Sequence, residues 1–228
     1  SEGYSYWDRF KLDKAFEKLK SLKKSDELLC IWGIKKQIEK NKEALYQEKE
    51  KIFCKERVVD LIENAKRRAL EGKFDDAMAR LYRTIEYIAQ YKVNEKGLFK
   101  KDKKGRPQTD NLDVQAISSN KLRKKYEQYR DPKDGKIGLS LYKLYELLRD
   151  LGEDIGEFFF KEWDEKNGKL KKLLGLRNKS ILAHGFNPVG EAGFNEGLSV
   201  VQELARFIIQ DLDFWSDKVK FPKISDKF

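Results

Sequence analysis

The sequence predicts an all-α protein, and three observations lead to this. No stretch of the chain shows the strict alternation of apolar and polar residues that is typical of a β-strand. The chain before Pro107 contains no proline and is rich in Glu, Lys, Leu and Ala, which favour helices. Apolar residues recur every three or four positions in segment after segment, as on the buried face of an amphipathic helix.

Four helices are expected in the first part of the chain. Apolar stripes predict the first three over Trp7–Leu22, Asp26–Leu45 and Glu50–Leu70. Gly72 suits the C-cap of the third helix, because glycine readily adopts the left-handed backbone conformation found there. Phe74 opens the fourth helix.

Further helices are expected in the second part. Leucines at helical spacing predict one over Leu139–Leu151, ended by Gly152. Three consecutive phenylalanines within Ile155–Trp163 are expected to fill the core, and Lys169–Leu176 is expected to lead into a more polar stretch. From Phe194 to Trp215 apolar residues recur in steps of three and four, which predicts one long helix whose apolar stripe serves the core or a partner chain.

A segment rich in lysine and glycine separates these two parts. Residues 94–110 carry six basic residues together with Gly97, Gly105 and Pro107, which is the composition of a long basic loop. A solvated loop is favoured over a nucleic-acid clamp, because runs of charge usually face water.

The composition excludes several kinds of site. The 228 residues include one histidine and two cysteines, Cys30 and Cys54, too few for the usual zinc ligand sets, and we expect neither a metal nor another cofactor. The cysteines do not form a disulfide framework and are expected to be buried thiols. No apolar run approaches the roughly 20 residues of a membrane span, and no signal peptide opens the chain, so a cytoplasmic protein is expected. The formal net charge of +10 favours an acidic partner such as nucleic acid.

The single histidine, His184, stands seven positions after Arg177 in the sequence LRNKSILAHG. On a continuous helix ended by Gly185, this offset would place both side chains on one face, about 10.5 Å apart along the axis. Histidine can move a proton near neutral pH and arginine can neutralise charge developing on a phosphate, so the pair suits phosphodiester cleavage. Taken alone, the spacing is better explained by a surface histidine at a helix C-terminus.

The longer string around this pair resembles the R-x(4–6)-H signature of HEPN-domain ribonucleases. Arg177 and His184 stand in the positions of that signature, and the polar Asn178 follows the arginine directly, as that family favours. Together with Asp75–Gly97, the segment Arg177–Val189 resembles the C-terminal half of the CRISPR-associated CARF-HEPN proteins of type III systems.

The resemblance implies a metal-independent endoribonuclease for single-stranded RNA in CRISPR antiviral defence. In this family the RNA 2'-hydroxyl attacks the phosphate and leaves a 2',3'-cyclic phosphate and a 5'-hydroxyl. Arginine and histidine of two protomers meet at a twofold interface and form one composite site. A chain with one histidine suits such a site, because a homodimer supplies a base and an acid by symmetry.

We therefore expect a homodimer with Arg177 and His184 at its interface. Asn178 is expected to orient the phosphate or the imidazole. Lys179 and Ser180 are candidates for contacts with the RNA backbone, although Ser180 could equally bond to its own helix backbone.

The same resemblance divides the chain. It covers roughly residues 50–215, the expected helical HEPN-type domain, which an additional N-terminal helical region at residues 1–49 precedes and a C-terminal tail at residues 216–228 follows. Members of the family sense cyclic oligoadenylate through an α/β CARF domain, whose alternating strands and helices are not recognisable here. Regulation by this messenger is expected only through a CARF domain outside this chain, to which residues 1–49 would be the link.

Three other functions remain open on the sequence. A non-catalytic helical RNA-binding or dimerisation module would use the basic charge without cleavage. A divalent-metal nuclease would need acidic pairs such as Asp75 with Asp76 or Asp110 with Asp113, although a helix start explains the first pair better. A helical-repeat adaptor would need further copies of the hairpin Ala65–Gln90, which has a tetratricopeptide-like layout, but no second copy follows.

Four polar residues on the fourth expected helix are interpreted as structural. Arg83 and Glu86 are spaced to form an ion pair one turn apart, and Arg80 and Tyr82 lie beside them. The alternative is that they support the candidate site.

Overall fold

The computed structural model describes residues 2–22, 34–164, 168–180, 182 and 185–222. The predicted all-α class is confirmed, since the described residues are mostly helical. The α-helices are α1 Glu2–Trp7, α2 Leu12–Lys20, α3 Lys35–Glu50, α4 Lys55–Leu70, α5 Phe74–Glu95, α6 Asn120–Glu127, α7 Leu141–Asp150, α8 Asp154–Asp164, α9 Lys169–Lys179, α10 Glu191–Ala205 and α11 Leu212–Val219. None of these helices is long and apolar enough to cross a membrane.

Helix α5 lies at the centre of the described core. It packs against α4, α7, α9 and α10, and Leu81 and Ile85 on this helix are completely buried. Tyr145 of α7 donates a hydrogen bond to the carbonyl of Ile85 at 2.9 Å and stacks on Phe159 of α8, with ring centroids 4.0 Å apart. These contacts fix the position of α5, on which the candidate site depends.

Helix α3 packs against α4 and α11, and α2 packs between α1 and α3. Asn41 of α3 donates hydrogen bonds to the carbonyls of Lys218 and Lys220. Trp7 donates its indole N–H to the Asp60 carboxylate of α4 at 3.1 Å. Residues 2–22 and 34–50 therefore contact both α4 and the end of the described chain, while the domain boundaries at residues 49 and 215 stay predictions.

Two carboxyl groups are completely buried where these helices meet. Asp60 accepts hydrogen bonds from Trp7 and from Arg67. Neither carboxylate oxygen of Glu48 has a hydrogen-bond partner among the described residues, and the nearest cation, Arg57 Nε, lies 3.8 Å away. Burial and the nearby charge of Asp60 raise the pKa of Glu48 well above its usual range.

The structure breaks two of the predicted helices. The expected helix Trp7–Leu22 is wrong as a single helix, because the chain turns between α1 and α2 through Phe10, whose φ is 52°. The expected long helix Phe194–Trp215 is also wrong: α10 ends at Ala205, and α11 begins after Asp211, whose carboxylate accepts the Phe214 N–H. The N-cap at Asp211 starts a new helix where the sequence pattern shows no glycine or proline to separate the two.

The expected basic loop is in part a β-hairpin. Strand β1, Phe99–Lys101, pairs antiparallel with β2, Pro107–Leu112. At the turn Asp102 accepts the backbone N–H groups of Lys104 and Arg106, and Gly105 has a φ of 75°. A carboxylate that organises the turn allows two short strands to pair, although they lack a clear alternating pattern.

Several smaller expectations are confirmed. Gly72 and Gly152 follow α4 and α7 with positive φ angles of 73° and 76°, Phe159 and Phe160 are buried, and Cys54 is a buried thiol. Cys30, with the rest of residues 23–33, lies outside the described residues, as does the start of the helix expected over residues 26–45.

We expect Glu48→Gln to stabilise the protein at neutral and alkaline pH by about 1–2 kcal/mol. Because the pKa of Glu48 is raised in the folded state, the folded protein holds a proton that the unfolded chain has already released. Stability therefore falls as pH rises from the usual glutamate pKa to the folded-state pKa, and glutamine removes this loss.

Urea unfolding at pH 5 and pH 8 measures the effect, which should be larger at pH 8. The matched control is Glu43→Gln, an exposed change on the same helix. Equal or lower stability of Glu48→Gln at pH 8 would contradict the prediction.

Candidate active site

Helix α9 ends at Lys179, two residues after Arg177. Ser180 leaves the helix with an extended backbone, and its amide and hydroxyl both donate to the carbonyl of Arg177, at 3.1 and 2.8 Å. Ser180 is 1% exposed and makes the expected local bond to its own helix, while its contact with RNA stays a prediction. This bond fixes the backbone directly after the candidate arginine.

The expected continuous helix from Arg177 to Gly185 is wrong, since α9 stops at Lys179 and Ser180 has an extended backbone. The expected placement of Arg177 and His184 on one helix face, about 10.5 Å apart along its axis, therefore does not apply. His184, with Ile181 and Ala183, lies outside the described residues.

The chain returns to the end of α9 directly after this segment. Gly185 N–H donates to the carbonyl of Ser180 at 3.2 Å, and Asn187 N–H donates to the carbonyl of Lys179 at 3.0 Å. A Cβ atom at Gly185 would lie 2.1 Å from the Lys179 carbonyl oxygen. Only glycine permits this approach of one backbone segment to the other, so the loop after α9, which runs from Ser180 to Asn187, begins and ends at the helix end.

A second attachment joins this loop to α5. The Asp75 carboxylate, in the first turn of α5, accepts the backbone N–H of Val189 at 3.3 Å. The sequence explains Asp75 by the helix dipole alone, but the structure adds this contact with a segment 114 residues away. The loop is therefore held at both ends, by α9 and by α5.

Arg177 is half-buried and lies over the ring of Tyr82, with 4.4 Å between its Cζ atom and the ring centroid. Its Nη1 donates to Oδ1 of the neighbouring Asn178 at 3.1 Å. Within the described ranges, no carboxylate lies within salt-bridge distance of this guanidinium. The positive charge is oriented but not neutralised, which leaves it available to an anion.

A small cavity of about 210 Å³ is lined by both residues that Arg177 contacts. Tyr82 and Asn178 line one part of it, and Tyr142 of α7 and Trp163 of α8 line another. Tyr82 is thus shared by the cavity and the guanidinium, and aromatic rings near a positive charge suit a phosphate linked to a base. Lys179, the next residue, is exposed and adds positive charge at the helix end.

Two residues of this site are not placed there by the sequence. Tyr82 is interpreted from the sequence as structural, with support of the candidate site as the alternative, and its contact with Arg177 joins two distant segments. Gly185 stands beside the histidine, but its expected role was to end a helix. The pairing of Arg83 with Glu86 is confirmed at 2.7 Å.

The carboxylates considered for a metal nuclease each have a separate partner. Asp76 pairs with Arg80, Asp110 pairs with Lys136, and Asp113 accepts the Gln115 N–H at the start of the 3-10 helix 114–116. Among the residues that the structure describes, no three His, Cys, Asp or Glu side chains come together as a group that could hold a metal ion.

Comparison with known proteins gives one match. A family model described as the Csm6 HEPN domain matches residues 46–208. This range includes α4 to α10 and the whole loop after α9. No curated protein and no solved structure matches the chain.

We expect Gly185→Ala to open the loop after α9. The added methyl group would overlap the Lys179 carbonyl, so the Gly185 and Asn187 amide bonds would lengthen or break. Hydrogen exchange of a peptide spanning residues 179–187 should become about tenfold faster.

Gly190→Ala is the matched control, because a Cβ atom at Gly190 meets no atom within 4 Å. Its loop should exchange as in the wild type. Unchanged exchange in Gly185→Ala would show that the close approach does not hold the loop.

Proposed function

This chain belongs to the Csm6 HEPN domain family, and we propose that it is a metal-independent endoribonuclease acting on single-stranded RNA in CRISPR antiviral defence. At the level of the family it is a CRISPR-associated HEPN ribonuclease. The proposal adds the site, the mechanism and the products, and it assigns Arg177, Asn178 and His184 to catalysis.

The observation that carries the proposal is the state of Arg177. Its guanidinium lies on Tyr82, is bonded to Asn178 and has no carboxylate partner in the described part of the chain. An arginine held in this way can stabilise the negative charge that develops on phosphate oxygens, and it does so without having to break an ion pair first. Asn178 keeps the guanidinium in place.

The chemistry needs one group that accepts a proton and one that donates a proton. We assign His184 as the base that removes the proton from the RNA 2'-hydroxyl, whose oxygen then bonds to phosphorus. The bond from phosphorus to the 5'-oxygen breaks, and the imidazolium of the same histidine in a second protomer gives its proton to that oxygen. The products are a 2',3'-cyclic phosphate and a 5'-hydroxyl, and no metal ion takes part.

Lys179 and Ser180 serve this site differently. Lys179 is exposed and we assign it to a phosphate of the RNA backbone. Ser180 is buried and bonded to the Arg177 carbonyl, so we assign it the positioning of the loop, with any RNA contact made through its backbone.

Exposed apolar side chains beside the histidine support a homodimer. Leu182 is 52% exposed and Phe186 is 89% exposed, and both flank position 184. An isolated protomer gains nothing from presenting these side chains to water, whereas an interface between two copies would bury them. Such an interface would bring the two histidines into one site.

We expect His184→Ala and Arg177→Ala to reduce cleavage of a labelled single-stranded RNA in EDTA by at least about 100-fold. Arg177→Lys should recover little activity, because lysine keeps the charge but lacks the planar fork that matches phosphate oxygens. End-group analysis of the wild-type products should find cyclic phosphates. RNA binding should persist in the His184→Ala variant.

Lys172→Ala, a change of an exposed cation on the same helix, serves as the control and should leave cleavage within about twofold. Products with 3'-hydroxyl ends, or loss of wild-type activity in EDTA, would refute the mechanism. RNA binding without any cleavage would favour the non-catalytic module.

We expect Phe186→Asp to weaken dimerisation by at least about tenfold, because a charge replaces an apolar ring at the proposed interface. Sedimentation velocity over a dilution series measures the dissociation constant, and activity per protomer should fall with the dimer. The matched control is Phe214→Asp on α11, where the ring is 55% exposed. A dimer that survives Phe186→Asp would place the interface elsewhere.

A further inference from the structure

A large pocket opens on the side of α5 that bears Arg80 and Arg83. Its volume of about 710 Å³ falls in the range of roughly 300–1,000 Å³ that small-molecule sites occupy. Residues of α4, α5 and β2 line it, together with the turn between α1 and α2. Neither the motif nor the site around Arg177 includes these lining residues.

The lining of this pocket is strongly basic. Arg57 of α4 and Arg80 and Arg83 of α5 contribute three guanidinium groups, and no lining residue is an aspartate or a glutamate. The carboxylates that pair with Arg80 and Arg83, Asp76 and Glu86, are not among the residues that line the pocket. The lining therefore favours an anion.

Two of the arginines keep N–H groups free for a ligand. Arg80 uses Nε for Asn64 and Nη1 for Asp76. Arg83 uses only Nη1, for Glu86 and Gln90. Among the described residues, Nη2 of Arg80 and both Nε and Nη2 of Arg83 have no partner. The adjacent Nε and Nη2 of Arg83 form the edge of the guanidinium that can donate to two oxygens of one phosphate.

The guanidinium of Arg57 instead bonds to the protein's own backbone. Its Nη1 and Nη2 donate to the carbonyls of Ile52 and Glu48. It supplies positive charge to the pocket but few free donors.

Aromatic and apolar side chains form the rest of the pocket. Phe53 packs against Tyr87 with 5.4 Å between ring centroids, and both rings line the pocket with Phe10. Phe10 is the one non-glycine residue of the described chain with a positive φ, 52°. Backbone strain of this kind persists where the surroundings require it and is common at ligand sites.

We propose that this pocket binds a nucleotide, with its phosphate on Arg80 and Arg83 and its base against the aromatic wall formed by Phe53 and Tyr87. A simple anion would use the guanidinium groups and leave the wall unoccupied, and an apolar ligand would leave the guanidinium groups without a partner. A nucleotide satisfies both, and Thr109 and Gln90 add polar groups for the ribose or base edge.

The nucleotide has two possible sources. It can be one residue of an RNA strand, because Thr109 belongs to the hairpin whose other strand carries the exposed Lys101; this case rests on the proposed function. It can also be a free nucleotide, which requires no RNA cleavage. On α5, Tyr82 lies about 100° around the axis from Arg83 and about 200° from Arg80, so the pocket and the Arg177 site lie on different sides of one helix.

Two probes test the proposal with the full chain in the His184→Ala background, which prevents cleavage. Adenosine 5'-monophosphate is titrated by calorimetry, and a fluorescent single-stranded RNA of about twelve nucleotides, long enough for one nucleic-acid site, is titrated by anisotropy. Arg83→Gln removes the exposed guanidinium, and Ala79→Phe fills the pocket without a change in charge. Each variant should weaken binding about tenfold or more.

Arg130→Gln is the matched control, because Arg130 also pairs with a glutamate three positions away, Glu127, but lies outside the pocket. Circular dichroism establishes that each variant is folded. Weaker RNA binding in both pocket variants assigns the pocket to a residue of the strand, and weaker binding of the monophosphate alone assigns it to a free nucleotide.

Unchanged binding of both probes in the two pocket variants would overturn the proposal, as would an equal loss in Arg130→Gln. The cleavage assay of Arg177→Ala tests the proposed function separately. If that assay shows the proposed function to be wrong, the titration with adenosine monophosphate still tests whether the pocket binds a nucleotide.

Discussion

Helix α5 carries apolar residues on several sides, and each of these sides must be covered by another part of the chain. The candidate site and the large pocket depend on which elements cover them. Its apolar residues pack against α4, α7, α9 and α10, so the polar residues between them reach separate surfaces. Tyr82 meets Arg177, Asp75 meets the loop after α9, and Arg83 lines the large pocket. A displacement of α5 within the core would change all three contacts, because close-packed interiors transmit such shifts.

The candidate site is built by close backbone contact more than by side-chain bonding. Gly185 lies against the Lys179 carbonyl, and Ser180 and Asn187 complete hydrogen bonds that the helix end would otherwise leave open. Among the residues that the structure describes, no carboxylate pairs with Arg177. A carboxylate there would stabilise the guanidinium, but it would also compete with phosphate for the same N–H groups.

Periodicity in the sequence predicts the helices α4 and α7, because each carries a regular apolar stripe against one core. It fails where a single polar side chain decides the backbone, as Asp211 does by capping α11 and Asp102 does in the hairpin turn. The motif makes Arg177 and Asn178 predictable as candidates. The contact with Tyr82 could not be predicted, because it joins segments 95 residues apart whose relative position only the packing sets.

The net charge of the chain opposes the proposed dimer. Each chain carries a formal charge of +10, so two copies repel each other, and an interface that includes Arg177 adds to the repulsion. Burial of Phe186 and Leu182 does not depend on charge and can offset this cost, while added salt screens the repulsion over roughly 10 Å at 0.1 M. RNA phosphates would neutralise the same charges. Substrate binding should therefore favour the dimer, and dimerisation should in turn favour RNA binding, since the two equilibria share one set of cations. High salt acts on the two in opposite directions: it relieves the repulsion between protomers and weakens their hold on RNA.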